Sequence, residues 1–205
     1  MNGLRREYFK YISLNIMGML GLSCYILADT YFVSNRMGTN GLAALNLAIA
    51  VYSLIHGTGL MIGIGGATRY TISRSQGKTR RASEAFWDSL VLGMAAAAFF
   101  MAAGVFGAEF FAKLLGANEE ILPLTAVYLR TILCFSPCFI LNNIVLAFVR
   151  NDGSPRLSMT GMICGSLGNI VLDYIFMYPL GWGMFGAAFA TGLAPVISLS
   201  ILSTF

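Results

Sequence analysis

Apolar stretches of about 20 residues recur along the whole chain, and they restrict its fold more than any other feature. A stretch of this length crosses the ~30 Å hydrocarbon core of a bilayer as a helix. Of the 205 residues, 57% are hydrophobic and 11% are charged, whereas soluble domains are about a quarter charged. The sequence therefore predicts an all-α membrane protein.

The apolar stretches are separated by segments rich in Gly, Asn, Asp, Pro and charged residues, which is the composition of loops. These segments read SNRMGTNG, RYTISRSQGKTRRASE, AEFFAKLLGANEE, VRNDGSPR and YPLGWGM. Pro137 and Pro195 fall inside spans, where proline should kink a helix. The chain is predicted to form one domain, residues 1–205, with six transmembrane helices at about 11–34, 42–68, 86–107, 122–148, 157–178 and 184–205.

The cations predict the orientation of this bundle. Ten of the thirteen Lys and Arg residues lie in the N-terminus and in the second and fourth loops, and cytoplasmic loops carry such an excess. Both termini are therefore predicted to be cytoplasmic, in the plasma (inner) membrane. The ten residues are Arg5, Arg6, Lys10, Arg69, Arg74, Lys78, Arg80, Arg81, Arg150 and Arg156.

The net charge of +4 does not indicate a nucleic-acid partner, because these cations lie in loops between membrane spans. The sixth span reaches Phe205 without a polar tail. This ending favours a fragment of a longer protein, with a half-sized protein that must pair as the alternative.

Few ionisable residues remain at membrane depth, and Asp29 and Asp173 are the most informative. An Asp at the centre of a membrane helix costs about 2.5–3.5 kcal/mol on insertion scales, so it needs a partner or a water-filled cavity. In the predicted topology both residues lie in the outer half of the bilayer, and Thr191 lies at a similar depth.

Asn169 and Asp173 are four residues apart and so share one face of the fifth helix. Two carboxylates with Asn and Thr oxygens nearby would suit a hard cation such as Na⁺, or a proton. The alternative is that each Asp merely bonds a neighbouring helix. Two acids at matched depth, one with a helical Asn partner, favour a cation site.

Two sequence segments resemble the multidrug and toxic compound extrusion (MATE) transporters. ADTYFVSNRMGTNGLAALNLA is similar to their first helix and loop, and VRNDGSPRLSMTGMICGSLGNIVLDYIFMYPLGWGMFGAAFAT to their fourth loop through sixth helix. A basic second loop with a Gly and an LLGANEE third loop also fit. Because MATE proteins have twelve helices in two lobes, the chain resembles one N-terminal lobe.

The resemblance implies a transporter, not an enzyme, that couples inward flow of Na⁺ or H⁺ to export of small amphipathic compounds. It also implies a cation-binding site formed by Asp29, Asn169, Asp173 and Thr191. Two further polar positions, Tyr128 and Asn143, should line the same cavity. The coupling ion would be the only cofactor. Membrane lipid and a missing C-terminal lobe, or a second copy of the chain, would be the partners.

One departure and three alternatives remain. Many relatives carry a proline in the inner half of helix one, where this chain has only Gly18 and Gly21, so a proline-driven bend is not expected. A lipid-linked sugar flippase of a related fold is an alternative transporter, although few cations lie within the spans. An intramembrane aspartyl protease would typically show a Gly-x-Gly-Asp sequence, which is absent. A structural or assembly half-subunit is the third alternative.

Overall fold

The computed structural model describes residues 2–204, with side chains from Tyr8 onward. The side chains of Arg5 and Arg6, and Phe205 at the predicted end of the sixth span, lie outside the described residues. The described chain folds into α-helices joined by short turns. These are α1 (Asn2–Ser75), α2 (Thr79–Leu114), α3 (Leu122–Cys134), α4 (Ser136–Asn151), α5 (Pro155–Met177) and α6 (Gly183–Leu202).

Four of these helices are individually long and apolar enough to cross a membrane, and the bent pair α3 and α4 supplies a fifth span. The apolar part of α1, Tyr8–Ser75, has 68 residues, more than twice the ~20 residues that one crossing needs. It therefore provides two spans, and the fold is a six-span helical bundle.

Gly38 divides α1 into a first arm, residues 2–37, and a second arm, residues 39–75. Its backbone angles, φ 66° and ψ −154°, lie in a region that is essentially restricted to glycine. The hydroxyl oxygens of Tyr25 and Tyr52 are 2.8 Å apart, although a continuous helix would hold residues 27 positions apart about 40 Å from each other. The arms therefore form an antiparallel hairpin, and the loop predicted between the first two spans is reduced to a turn at one residue.

The fourth span is bent by 49° between α3 and α4, where the sequence predicted one helix over 122–148. The break lies at Phe135, two residues before Pro137. Proline has no N–H to donate to the carbonyl four residues earlier, and its ring clashes there, so the helix is interrupted. The predicted kink is found, at this position.

Small residues bring α5 and α6 close together. A Cβ atom added to Gly165 would lie 2.9 Å from the backbone oxygen of Ala194, and one added to Gly161 would lie 3.1 Å from Ser198 Oγ. In lipid the hydrophobic effect does not drive helices together, so their association depends on the close packing that small residues allow. The buried stripe of α5 continues along the same face to Asn169 and Asp173.

The alternating helix directions give the bundle two ends, which we call the N-terminal end and the Gly38 end. At the N-terminal end, Arg74 pairs with Asp152, and the Tyr70 hydroxyl donates to the same carboxylate at 3.0 Å. At the Gly38 end, the amide of Asn40 donates to Glu120 at 3.0 Å. These contacts connect the α1 hairpin to the turns of the other helices.

Candidate functional site

Four buried polar residues of three helices meet in the half of the bundle nearer the Gly38 end. Asp29 comes from the first arm of α1, Asn169 and Asp173 from α5, and Thr191 from α6. Their side chains are at most 5% exposed, and those of Asn169 and Asp173 are completely buried. In a membrane protein such residues mark a functional site more often than a structural one.

The amide of Asn169 connects Asp173 to α6. Oriented to satisfy both of its ends, the amide donates to Asp173 Oδ2 at 3.1 Å and accepts from the backbone N–H of Thr191 at 3.2 Å. It also lies 3.4 Å from the Thr191 hydroxyl. The predicted pairing of Asn169 with Asp173 along one helix face is thus present, and the close packing of α5 on α6 brings Thr191 to it.

Each carboxylate of the site keeps one oxygen without a hydrogen-bond partner. Both Asp29 Oδ1 and Asp173 Oδ1 are buried and unpartnered among the described residues. The two carboxylates are close enough to interact electrostatically. Tyr128, on α3, is buried as well, and its hydroxyl lies near Asp29 and Thr191. Two buried negative charges would repel each other strongly here, and a bound cation would remove that repulsion.

The donor set fits a monovalent hard cation or a proton. No group of three or more His, Cys, Asp or Glu residues that could hold a metal occurs in the described part of the chain. The available ligands are two carboxylates and neutral oxygens. The carbonyl oxygen of Thr191 is a candidate for a further ligand, because Pro195, four residues later, has no N–H to donate to it.

Asn143, on α4, is not part of this group of oxygens. Its amide lies 3.1 Å from His56 Nδ1 and 3.4 Å from the His56 carbonyl oxygen. The imidazole is also stacked on Tyr52, with the ring centres 5.8 Å apart. The two polar positions of span four therefore have separate surroundings: Tyr128 faces the carboxylates, and Asn143 connects α4 to the second arm of α1.

The hydrogen-bonded pair Tyr25 and Tyr52 is a feature that the sequence analysis missed. Tyr25 lies one helical turn before Asp29, so its side chain shares the face of the first arm that carries the carboxylate. A search for polar residues four positions from each buried acid would have found Tyr25. Tyr52 has no such signal in the sequence, because the hairpin alone brings it near.

A cavity of about 520 Å³ lies between the α1 hairpin and helices α4, α5 and α6, and it extends toward the N-terminal end of the bundle. Thr191 lies on its wall, as do Tyr25, Tyr52, His56 and Asn143. Neither carboxylate of the site, nor Asn169 or Tyr128, is on that wall. Thr191 and the tyrosine pair therefore separate the buried carboxylates from the cavity.

The MatE family model matches residues 15–175, a range that includes Asp29, Asn169 and Asp173. The chain belongs to the MatE family. It is therefore an integral membrane protein of the MATE type, and its bundle has the fold of a lobe of such a transporter.

Individual MATE relatives agree with this assignment. The chain is 31% identical over 189 residues to the multidrug export protein MepA of Staphylococcus saprophyticus, covering 89% of this chain. It is also 30% identical to a multidrug resistance MATE family transporter of the MOP superfamily. The structure of that transporter in its outward-facing conformation matches 93% of this chain with a TM-score of 0.85. An inward-facing conformation of such a transporter gives 29% identity and a TM-score of 0.82 over 87% of the chain.

These matches cover 41% of the length of MepA and 43% and 40% of the two solved MATE chains. The chain thus spans less than half of the relatives it resembles. Its six spans correspond to a half-length lobe of the MATE architecture.

Proposed function

We propose that this chain is the N-terminal lobe of a cation-coupled antiporter that exports small amphipathic drugs or toxic compounds. The coupling cation, Na⁺ or H⁺, binds at Asp29 and Asp173, with Asn169 and Thr191 as neutral ligands. The second lobe of the transporter, or a second copy of this chain, completes the translocation pathway. Both termini face the cytoplasm, in agreement with the distribution of the cations.

The observation that carries this proposal is that Asp29 Oδ1 and Asp173 Oδ1 are both buried in the helical bundle without a hydrogen-bond partner among the described residues. A carboxylate oxygen without a partner costs free energy at this depth unless a cation or a proton occupies the space beside it. If each Asp merely bonded a neighbouring helix, its oxygens would be satisfied within the protein.

The coupling follows from the positions of the two acids on different helices. Asp29 lies on the first arm of α1, and Asp173 lies on α5. With the site empty, two negative charges push these helices apart, and a bound cation draws them together. A ligand shifts a conformational equilibrium by its difference in affinity for the two states, so cation binding biases the packing of the first arm.

The test is efflux of ethidium, a cationic fluorescent dye, from cells that express the complete transporter. Asp173→Asn and Asp29→Asn keep the shape of each side chain but remove its charge, and we expect either change to abolish efflux while membrane insertion persists. The matched control is Asp88→Asn, because Asp88 is an exposed acid at the N-terminal end of the bundle, 3.6 Å from Arg69. Wild-type efflux in both site variants would refute the proposal.

The identity of the ion is tested by the thermal stability of the complete protein in detergent, at a pH where the acids are ionised. A ligand that binds only the folded state stabilises it by about 2.7 kcal/mol at a hundredfold excess over its Kd. Na⁺ should therefore raise the melting temperature relative to K⁺ if Na⁺ is the coupling ion, and Asp173→Asn should remove the difference. Equal melting temperatures in both salts would exclude Na⁺ and leave the proton as the coupling ion.

A further inference from the structure

The second arm of α1 and helix α2 are longer than a membrane crossing requires. Helix α2 has 36 residues and is therefore about 54 Å long, whereas the hydrocarbon core of a bilayer is about 30 Å thick. The second arm, residues 39–75, has a similar length. Between the apolar stretches of these two helices lies the segment 69–85, which extends beyond the hydrocarbon core at the N-terminal end. We call this segment the basic tip.

A short turn closes the basic tip. Helix α1 ends at Ser75 and α2 begins at Thr79, and Gly77 lies between them with a φ of 72°. The backbone N–H of Lys78 donates to the carbonyl of Ser73 at 2.9 Å. Because only three residues connect the two helices, their ends lie side by side, and cations that are distant in sequence share one small surface.

The basic tip has more cations than its acidic neighbours neutralise. Three carboxylates each pair with one of its arginines, namely Asp88 with Arg69, Glu84 with Arg80, and Asp152 with Arg74. The side chains of Lys78 and Arg81 are exposed, and neither pairs with a carboxylate among the described residues. Lys78 Nζ donates to the neutral Gln76 Oε1 at 2.8 Å. The surface of the tip is therefore positive and complements an anionic partner.

Arg81 lies at the depth of the lipid head groups. It precedes Phe86, where the apolar stretch of α2 begins, by five residues, which is about 7.5 Å along the helix axis. The head-group layer is about 5–8 Å thick on each side of the hydrocarbon core. The phosphates of the lipids are therefore anions at the same depth as this guanidinium.

The two tryptophans of the chain agree with this depth. Trp87 follows Phe86 and is 64% exposed, and Trp182 is 44% exposed in the turn between α5 and α6, at the Gly38 end. Tryptophan is enriched where the hydrocarbon core meets the head groups. One tryptophan thus marks the interface at each end of the bundle, and the basic tip begins directly beside Trp87.

We propose that the basic tip binds the head groups of anionic membrane lipids, whose phosphates contact Lys78 and Arg81. Clusters of Lys and Arg immediately beside a membrane helix attract anionic lipids in this way. The contact lies on the outer surface of the bundle, and it involves neither the carboxylates of the cation site nor the wall of the cavity.

The experiment measures which lipids contact Trp87 in the complete protein. Trp182→Phe, with any tryptophan of the second lobe also replaced by Phe, leaves Trp87 as the only fluorophore of its kind. Vesicles contain phosphatidylcholine and phosphatidylglycerol, with bromine on the acyl chains of one lipid at a time, and bromine quenches tryptophan fluorescence on contact. We expect phosphatidylglycerol to be favoured by about fivefold or more, since each Lys or Arg near an anionic surface contributes about fivefold. Equal quenching by the two lipids would overturn the proposal.

The matched control is the complete protein in which Trp182 is the only tryptophan, obtained with Trp87→Phe. Because the two ends of the bundle are farther apart than the Debye length of ~8 Å, the basic tip should not affect lipids at Trp182, and the two lipids should quench it within about twofold of each other. An equal preference for phosphatidylglycerol at both tryptophans would show a general attraction to the protein and would also overturn the proposal.

Charge variants locate the contact. Lys78→Gln combined with Arg81→Gln should lower the preference at Trp87 by about fivefold or more, and the fold should persist because both side chains are exposed. Arg36→Gln combined with Lys113→Gln removes two exposed charges at the Gly38 end and should leave the preference unchanged. An undiminished preference in the first pair, or an equal loss in the second pair, would show that Lys78 and Arg81 do not form the contact.

Inorganic phosphate distinguishes a lipid surface from a free anion as the partner. Compared with chloride at the same ionic strength, it should not reduce the preference for phosphatidylglycerol at Trp87. A loss of the preference in phosphate alone would mean that the basic tip holds a soluble anion, and the lipid assignment would be wrong.

Discussion

The hydroxyl groups of Tyr25 and Tyr52 lie 2.8 Å apart across the α1 hairpin. Tyr25 lies one helical turn before Asp29 on the first arm. The contact joins the two arms of α1 beside the buried carboxylate and forms part of the wall between the cation site and the cavity. Any rearrangement of the first arm that follows cation binding must therefore break or move this hydrogen bond.

The strength of the tyrosine contact can be measured with a double-mutant cycle. Tyr25→Phe and Tyr52→Phe each remove one partner of this part-buried hydrogen bond, which costs about 0.5–1.5 kcal/mol. The double variant leaves neither hydroxyl, so its loss of stability should be smaller than the sum of the single losses. Thermal unfolding in detergent provides the measurement.

Tyr31→Phe is the control for this cycle, because Tyr31 is 63% exposed on the same arm. Its melting temperature should match that of the wild type. Strictly additive losses at Tyr25 and Tyr52 would show that the hydrogen bond contributes nothing to stability.

Pro195 is expected to control the cation response through the Thr191 carbonyl. Pro195→Ala restores the missing helical N–H, so the carbonyl of Thr191 regains a donor and becomes a poorer cation ligand. The variant should be at least as stable as the wild type, because proline inside a helix costs about 3 kcal/mol, but its stabilisation by the coupling cation should fall. Melting temperatures with and without Na⁺, or across a pH series if the proton is the ion, measure this response.

Pro155→Ala is the matched control, because Pro155 occupies the first turn of α5, where no helical N–H is needed. It should leave the response to the cation unchanged. An undiminished response in Pro195→Ala would exclude the Thr191 carbonyl as a ligand.

Gly192 is expected to be required for the bend of the fourth span. A Cβ atom at this position would lie 2.5 Å from the ring of Phe135, the residue at the break between α3 and α4. Gly192→Ala should therefore destabilise the bundle by about 1–3 kcal/mol through overpacking, and adding Phe135→Leu should recover part of the loss. Gly57→Ala, at a position with nothing within 4 Å, should show no loss.

Gly38 provides a test of backbone strain without steric crowding. A Cβ atom there would meet nothing within 4 Å, but φ is +66°, so Gly38→Ala should cost about 1–3 kcal/mol. Gly65→Ala has equally open surroundings at a helical position and should not destabilise the protein. Equal melting temperatures of the two variants would mean that the turn between the arms relaxes to accept a side chain.

The local features of the fold could be predicted from the sequence. Hydropathy identified the apolar spans, because each helix satisfies its own backbone and needs only length and apolarity to cross a bilayer. The bend near Pro137 and the common face of Asn169 and Asp173 were also predictable, since both follow from the geometry of a single helix. The reduction of the first loop to a turn at Gly38 was not, because polar residues such as Asn35 and Asn40 are typical of loops but also occur at helix ends.

The sequence by itself determined which polar residues would be buried in the membrane and which of them share a helix face. Only the tertiary structure decided that Tyr128 faces Asp29 while Asn143 bonds His56, and that Tyr52 reaches Tyr25. The physical reason is the range of the interactions. Positions within one helix follow from its 3.6-residue repeat, whereas contacts between helices depend on how small residues and bends let separate helices approach, which no local pattern specifies.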